Sequence, residues 1–298
     1  MCIRDSKYAS AREVLRGISL WFRAVCWVRR HYRGRPFDVV LDLQGLFKSA
    51  FFAFLLGRER YGFENGKEWS SLFLNRAIFR KDRNRHAVEN YLQFATYLGS
   101  EPAEPEFPLF IPDEARERMR RFLSENGIDP HDFIVFLAPT ARWETKFWSQ
   151  EGFAQVADAL CERYGAKVIL SGLPEERGYL EGIRERMHHK ALVSAGRTGI
   201  KDFFALLEVC DLYVGVDSGS MHVARALDVP AVAVFGPSNP SWIGPYGQRG
   251  GVVRIDVPCS PCNRKRCGDR SCMKGITPEM VLREVEEVLA EKGRPGRL

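Results

Sequence analysis

Apolar and polar positions along the chain alternate between two periods. Residues 11–33 set Val14, Leu15, Ile18, Leu20, Trp21 and Val25 at the spacing of one helix face. Pro36 then opens FDVVLDLQG (37–45), a nearly unbroken apolar strand ending at a glycine, and LFKSAFFAFLLG (46–57) reads as a helix stopped by Gly57. RYGF (60–63) predicts a short strand, and HAVENYLQFATYLG (86–99) another helix closed by glycine. The stretch EPAEPEFPLFIP (101–112) carries four prolines, which remove amide donors and break helices, so it is expected to be a linker.

From residue 113 the alternation is regular. Helices are predicted at 113–126, 149–165 (Ser149 as cap, Gly165 as stop), 174–187, 200–210, 220–228 and 278–293. Strands are predicted at 133–139, 166–172, 191–196, 211–216 and 230–236. Apolar strands alternating with helices imply an α/β fold with parallel sheets covered on both faces. The second half holds five such strands, enough for a complete Rossmann-like domain; the first half holds two or three, an incomplete one.

With 298 residues, 45% of them hydrophobic, the chain can bury one large core or two ordinary ones. No run of 18 apolar residues predicts a transmembrane helix, and the first residues do not show the pattern of a secretory signal. The formal charge of +6 suits an anionic ligand, a membrane surface or a nucleic acid without choosing among them. Arg12, Arg16, Arg23, Arg29, Arg30, Arg33 and Arg35 lie in one stretch with Trp21, Phe22 and Trp27. That stretch is either a solvated basic helix face or a surface that meets phosphates or anionic lipid.

In an open parallel sheet, ligands bind beyond the carboxyl ends of the strands. Three loops there carry chemistry. In APTARWETKFWSQEGF (138–153), Thr140 and Lys146 precede a helix start, where a cation and free amide groups can hold a phosphate; the plain alternative is a surface lysine in a polar loop. In SGLPEERGY (171–179), Glu175 and Glu176 either complement a helix dipole or accept hydrogen bonds from a ribose or base. In VDSGSMH (216–222), Ser218 can cap a helix and Gly219 admits close approach to the backbone. Asp217 would repel phosphate, so it is expected to accept hydrogen bonds from sugar hydroxyls. His222 lies one helical turn beyond Ser218. The implied ligand is phosphorylated and rich in hydroxyls. No GxGxxG, Walker loop, HExxH or GxSxG is present.

Eight cysteines include Cys161 and Cys210, which fit helix cores as small buried residues, and the group Cys259, Cys262, Cys267 and Cys272. The spacing C-x2-C-x4-C-x4-C allows a thiolate zinc site but is tighter than a zinc ribbon. The favoured reading is a reduced, loop-stabilising cluster with no metal.

LDLQGLFKSA (41–50), NRHAVENY (84–91), the Lys146/Trp148 loop, GVDSGSMHVARALDVPAVAVFGPSNP (215–240), GPYG (244–247) and CSPC…C…CMKGITPEMV (259–281) together resemble the ADP-heptose:lipopolysaccharide heptosyltransferases of glycosyltransferase family 9. The pieces occur in the family's order. DLQG…KSA and HAVE look more like the first heptosyltransferase than the second.

The resemblance implies a GT-B fold, with two Rossmann-like parallel-sheet domains facing a cleft and the N-terminal one incomplete. The expected boundaries are an acceptor domain at 1–108, a nucleotide-sugar domain at 109–277, and a C-terminal helix at 278–298 that packs back on the N-terminal domain. It implies inverting transfer without a cofactor or metal, from ADP-heptose to the lipopolysaccharide core. Thr140, Lys146, Glu175 (or its neighbour Glu176), Asp217, Ser218, Gly219 and His222 would hold the donor, with Lys146 meeting the charge of the departing diphosphate. Gln44, Lys48 and His86 would hold the acceptor. The implied location is the cytoplasmic side of the inner membrane, peripheral to it, with no nucleic-acid partner.

The family's base is an aspartate in an N-terminal glycine–aspartate turn. MCIRDSKYAS has no such segment, and residues 1–6 read as foreign sequence. The first one or two β–α units are therefore expected to be absent, so that the chain binds donor but transfers sugar poorly. Three other readings are weaker. A nucleic-acid-binding protein leaves the DSG motif unexplained. A family 9 enzyme using another nucleotide sugar would differ only in a few hydroxyl contacts. A GT-B epimerase would act on the donor alone.

Overall fold

A computed structural model describes residues 11–32, 34, 36–79, 81–82, 84–101, 103–247 and 250–290. Residues 1–6, read above as foreign sequence, lie outside them. The chain divides into two compact units, residues 1–85 with 89–102, and residues 86–88 with 103–298.

The first unit contains α1 (Ala11–His31), β1 (Phe37–Asp42), α2 (Phe47–Leu56), β2 (Gly57–Phe63), β3 (Arg76–Phe79) and most of α3 (Ala87–Tyr97). Its sheet runs β1-β2-β3, all parallel, with Leu41 opposite Tyr61 and Tyr61 opposite Arg76. Tyr61, Phe63 and Phe94 form its buried centre. The expectation that both sheet faces are covered fails at β1: Phe37, Val39 and Leu41, alternate residues on one face of this edge strand, are 44%, 42% and 38% exposed.

The second unit contains α4 (Asp113–Glu125), β4 (Ile134–Ala138), α5 (Gln150–Tyr164), β5 (Lys167–Leu170), α6 (Arg177–Arg184), β6 (Ala191–Val193), α7 (Ile200–Glu208), β7 (Leu212–Val216), α8 (Gly219–Ala226), β8 (Ala231–Val234), α9 (Pro240–Ile243), β9 (Gly250–Val253), α10 (Ser271–Lys274) and α11 (Pro278–Ala290). Its parallel sheet has the order β6-β5-β4-β7-β8-β9, six strands where five were expected. The added β9 reads GGVV, too short and glycine-rich to show a strand pattern.

Strand residues alternate between two cores, as the period of two requires. Val135, Leu137, Val168, Leu170, Val214, Val216, Val232 and Val234 pack with α5 and α11. Ile134, Phe136, Ile169, Tyr213, Ala231 and Ala233 pack on the other face with α4 and α7. Helix α5 begins and ends on its sequence signals: Ser149 Oγ accepts from the Gly152 amide, and Gly165 adopts the left-handed conformation at φ 64°. Val281, Leu282, Val285 and Val288 of α11 are buried in the second unit's own core. No described helix is long and apolar enough to cross a membrane.

Candidate active site

Strand order fixes where the site lies. The chain leaves β4 for β5 and β6 on one side, then returns to place β7 on the other. The loops after β4 and β7 therefore diverge at the point where the order reverses, the usual crevice for a ligand in such sheets. Ala138 lies opposite Gly215, so the two loops start at the same level.

Lys146 ends a 3₁₀ turn (Glu144–Lys146) in the loop after β4. Asp217 follows β7 directly. Lys146 Nζ lies 2.6 Å from Asp217 Oδ2, with the side chains 15% and 5% exposed. The same oxygen accepts a short hydrogen bond from Ser238 Oγ, in the loop after β8. Three strand exits thus meet at one carboxylate. Lys146 Nζ also stands 5.0 Å from the centre of the Trp143 ring. The Asp217 carboxylate is buried, and its Oδ2 holds Lys146 in place.

Ser218 is the N-cap residue of α8, but its side chain does not cap. Its Oγ pairs with Ser220 Oγ at 2.7 Å, and Ser220 Oγ pairs with the Tyr213 hydroxyl at 2.8 Å. Tyr213 is wholly buried, and that burial pushes its phenol up to about 12. The first amide groups of α8 are therefore not taken by the cap side chain and form the positive end of the helix dipole. A Cβ built on Gly219 meets no atom within 4 Å, so the space above this amide is open.

His222 is exposed on α8. Its imidazole is held below the usual histidine range by desolvation of the ring, opposed by the charge of Asp217 and reinforced by His86 and Lys146.

The loops after β4 and β5 are joined by Thr140 Oγ1, which donates to Glu176 Oε2 at 2.9 Å. The same oxygen accepts from the Leu173 amide at 2.6 Å. A Cβ on Gly172 would stand 2.8 Å from that carboxylate oxygen, so only glycine lets Glu176 reach Thr140. Glu175 is exposed. Sequence alone left these two glutamates undivided.

Among the residues named for an acceptor, Gln44 is exposed at the carboxyl end of β1, where its amide donates to Asp42 Oδ1. Lys48 is half-buried in the first turn of α2. His86 belongs to the second unit. Its Nδ1 accepts from the Val88 amide at 3.2 Å, so Nε2 carries the proton that donates to the Gly244 carbonyl at 3.0 Å. The ring packs on Tyr246 at 4.8 Å. The structure thus gathers Thr140, Lys146, Asp217, Ser218, Gly219 and His222 at the carboxyl ends of β4 and β7, and leaves Gln44 and Lys48 in the other unit.

Comparison with known proteins decides what such a site belongs to. The sequence profile of glycosyltransferase family 9 (heptosyltransferase) matches residues 25–272, most of the chain and all of the loops just described. The chain belongs to that family. Lipopolysaccharide heptosyltransferase 1 of Pseudomonas aeruginosa is 28% identical over 272 residues, covering 85% of this chain and 74% of the relative. Lipopolysaccharide core heptosyltransferase OpsX of Haemophilus influenzae is 27% identical over 243 residues, covering 80% and 66%. In structure, the family 9 glycosyltransferase of Veillonella parvula superimposes with a TM-score of 0.74 at 24% identity, over 95% of this chain and 80% of that one. Heptosyltransferase WaaC of Escherichia coli, solved with ADP, gives 0.66 at 22% identity, over 97% and 82%. The fold of this family 9 glycosyltransferase is accordingly α/β with parallel sheets, similar to GT-B heptosyltransferase structures.

Sequence reasoning missed Trp143, Ser238, Ser220 and Tyr213. None has a motif of its own. Ser238 lies in FGPSNP, the turn that follows β8 and forms part of the segment that carries the family resemblance. The four thiols of Cys259, Cys262, Cys267 and Cys272 are free, and no group of three or more potential metal ligands converges among the described residues. Cys272 is buried beside Gly236, and its thiol is pushed up by burial and by the three neighbouring cysteines.

Proposed function

We propose that this chain moves L-glycero-D-manno-heptose from ADP-heptose onto the lipopolysaccharide inner core, with inversion. The observation that carries this is the buried Lys146–Asp217–Ser238 cluster beside the open amide end of α8, at the switch point of the sheet. The donor's diphosphate fits against the Lys146 ammonium and the amides of Ser218 and Gly219. The names of the relatives supply the sugar and the acceptor pathway.

In this reading an acceptor hydroxyl oxygen attacks the anomeric carbon as its bond to the diphosphate oxygen breaks on the opposite side, and the hydroxyl proton passes to a base. Negative charge accumulates on the departing ADP. Lys146 is held in place beforehand by Asp217, so it meets that charge without reorganising. A fixed ammonium supplies the charge neutralisation that a divalent cation would otherwise provide, so transfer is proposed to need no metal. Thr140 and Glu176 stand on the adenosine side, and His222 lines the mouth. Gln44, Lys48 and His86 are proposed for the acceptor.

The proposed place of action is the cytoplasmic side of the inner membrane. Helix α1 supports peripheral contact there, since it exposes Leu20, Phe22 and Trp27 together with Arg16, Arg23, Arg29 and Arg30.

Calorimetric titration with ADP-heptose, ADP and UDP tests the reading. Adenine-selective binding that is lost in Lys146→Ala and Asp217→Ala supports it. Equal affinity for UDP, or no binding of any of the three, overturns it.

A further inference from the structure

Three hydroxyl groups meet at the start of α8, and only one of them has a part in the donor site described so far. The Tyr213 hydroxyl lies 2.8 Å from Ser220 Oγ and 3.4 Å from Ser218 Oγ, and the two serine oxygens are 2.7 Å apart. Tyr213 is held firmly in β7. It is fully buried, and its ring stacks on Phe136 with centroids 6.1 Å apart. Gly215, two residues on and on the same face of the strand, clears the space for the phenol oxygen; a Cβ built there would collide with it. Ser220 stands in the first turn of α8, whose N-cap is Ser218.

The proton of each hydroxyl can be followed around this triangle. A buried phenol O–H needs an acceptor, and the nearer of its two partners is Ser220 Oγ. Ser220 Oγ accepts there, so its own proton goes to its other partner, Ser218 Oγ. Ser218 Oγ accepts at that end of the chain. Its own proton has only the 3.4 Å return to the phenol, beyond the usual range for paired hydroxyls. The same arrangement explains why Ser218 does not cap its helix: its oxygen is paired with Ser220 Oγ and not with an amide of the first turn. A hydroxyl chain that begins on a buried donor and ends on a half-buried serine is polarised in one direction. It delivers a proton donor to the end of α8 that already presents amides to an anion.

We propose that Tyr213 and Ser220 are positioning residues for the donor's diphosphate. They hold the Ser218 hydroxyl off its own helix end and leave its proton for a phosphate oxygen, beside the Gly219 amide. The inference rests on the proposed donor reading and adds two residues that act through Ser218 without touching the ligand.

The test is titration of the full chain with ADP and with adenosine, alongside thermal melts. The proteins compared are the unaltered chain, Tyr213→Phe, Ser220→Ala, Ser220→Thr, Ser218→Ala and the double variant Tyr213→Phe/Ser218→Ala. Ser218→Ala and Ser220→Ala should each weaken ADP about tenfold, the range of a hydrogen bond to a charged group. Tyr213→Phe leaves the two serines paired and should weaken ADP about threefold, through lost polarisation of the chain. Adenosine affinity should stay the same in all of them. Ser220→Thr keeps the hydroxyl and should recover most of the affinity. In the Ser218→Ala background, Tyr213→Phe should have no further effect on ADP, because its action passes through that serine. A lower melting temperature with ADP affinity unchanged in Tyr213→Phe and Ser220→Ala marks a purely structural role; it overturns the inference and leaves the donor reading standing. Equal losses from Tyr213→Phe with and without Ser218 also overturn it, as does equal weakening of ADP and adenosine. Failure of the unaltered chain to bind ADP overturns both.

Discussion

Lys146 Nζ and Asp217 Oδ2 are 2.6 Å apart in a site where the two side chains are 15% and 5% exposed. Removing one partner of such a pair leaves the other as a buried, poorly compensated charge, which costs about 3 kcal/mol or more. Lys146→Ala and Asp217→Ala should each lower stability by about that amount, and the double variant should lose clearly less than the two combined. Urea denaturation of the three variants checks this. Additive losses would mean that the two groups do not support each other in solution.

Gly219 separates folding from binding. It is the first residue of α8, and a Cβ there meets nothing in the protein. Gly219→Ala should leave stability unchanged or raise it by up to about 1 kcal/mol, because alanine is the better helix former. The new methyl group occupies the space assigned to the diphosphate, so ADP affinity should fall. Parallel thermal melts and titrations read both effects; an alanine variant that binds ADP normally would remove the anion from this helix end.

The two adjacent glutamates should behave differently. Glu176→Gln weakens a carboxylate that accepts from both Thr140 Oγ1 and the Leu173 amide. It should cost about 1 kcal/mol of stability and reduce adenosine and ADP affinity together. Glu175→Gln should do neither. Titration of the pair with adenosine distinguishes them, and a larger effect at Glu175 would reverse the assignment.

His222 predicts a pH dependence with a definite sign. Its imidazole pKa is lowered by desolvation, so the fold favours the neutral ring. Its contribution to stability is present above the ordinary value near 6.5 and is lost as pH falls below it. A bound diphosphate favours the charged ring instead. ADP affinity should therefore rise as pH is lowered from about 7.5 to about 5.5. His222→Gln should flatten that rise; an unaltered slope in the variant would place the titrating group elsewhere.

Much of the fold was legible because the second unit follows simple rules. β4, β7 and β8 are unbroken runs buried on both faces, β5 becomes one after Lys167, and Ser149 and Gly165 bound α5 where their chemistry places them. β3 and β9 escaped, being four residues each, with no alternation and, in β9, two glycines. At the site, the loops were visible as departures from packing logic, but the pairing within them was not. Nothing local in VDSGSMH says that its aspartate turns inward to a lysine 71 residues earlier. That partnership comes from the crossover that sets β7 beside β4. The choice of Glu176 over Glu175 depends likewise on Gly172, whose missing side chain clears the path to Thr140.

The matched ends of β4 and β7 also bear on how this gene can vary in length. Ala138 faces Gly215, and the residues beyond them reach the ion pair from both sides. One codon inserted or deleted within either strand would slide its end by about 3.3 Å and turn every following strand residue to the opposite face. Val214 and Val216 would exchange cores with Tyr213, and the lysine and aspartate would lose their common level. Insertions and deletions that spare the enzyme should therefore gather in segments such as 101–112, while these two strands keep their length even where their residues change.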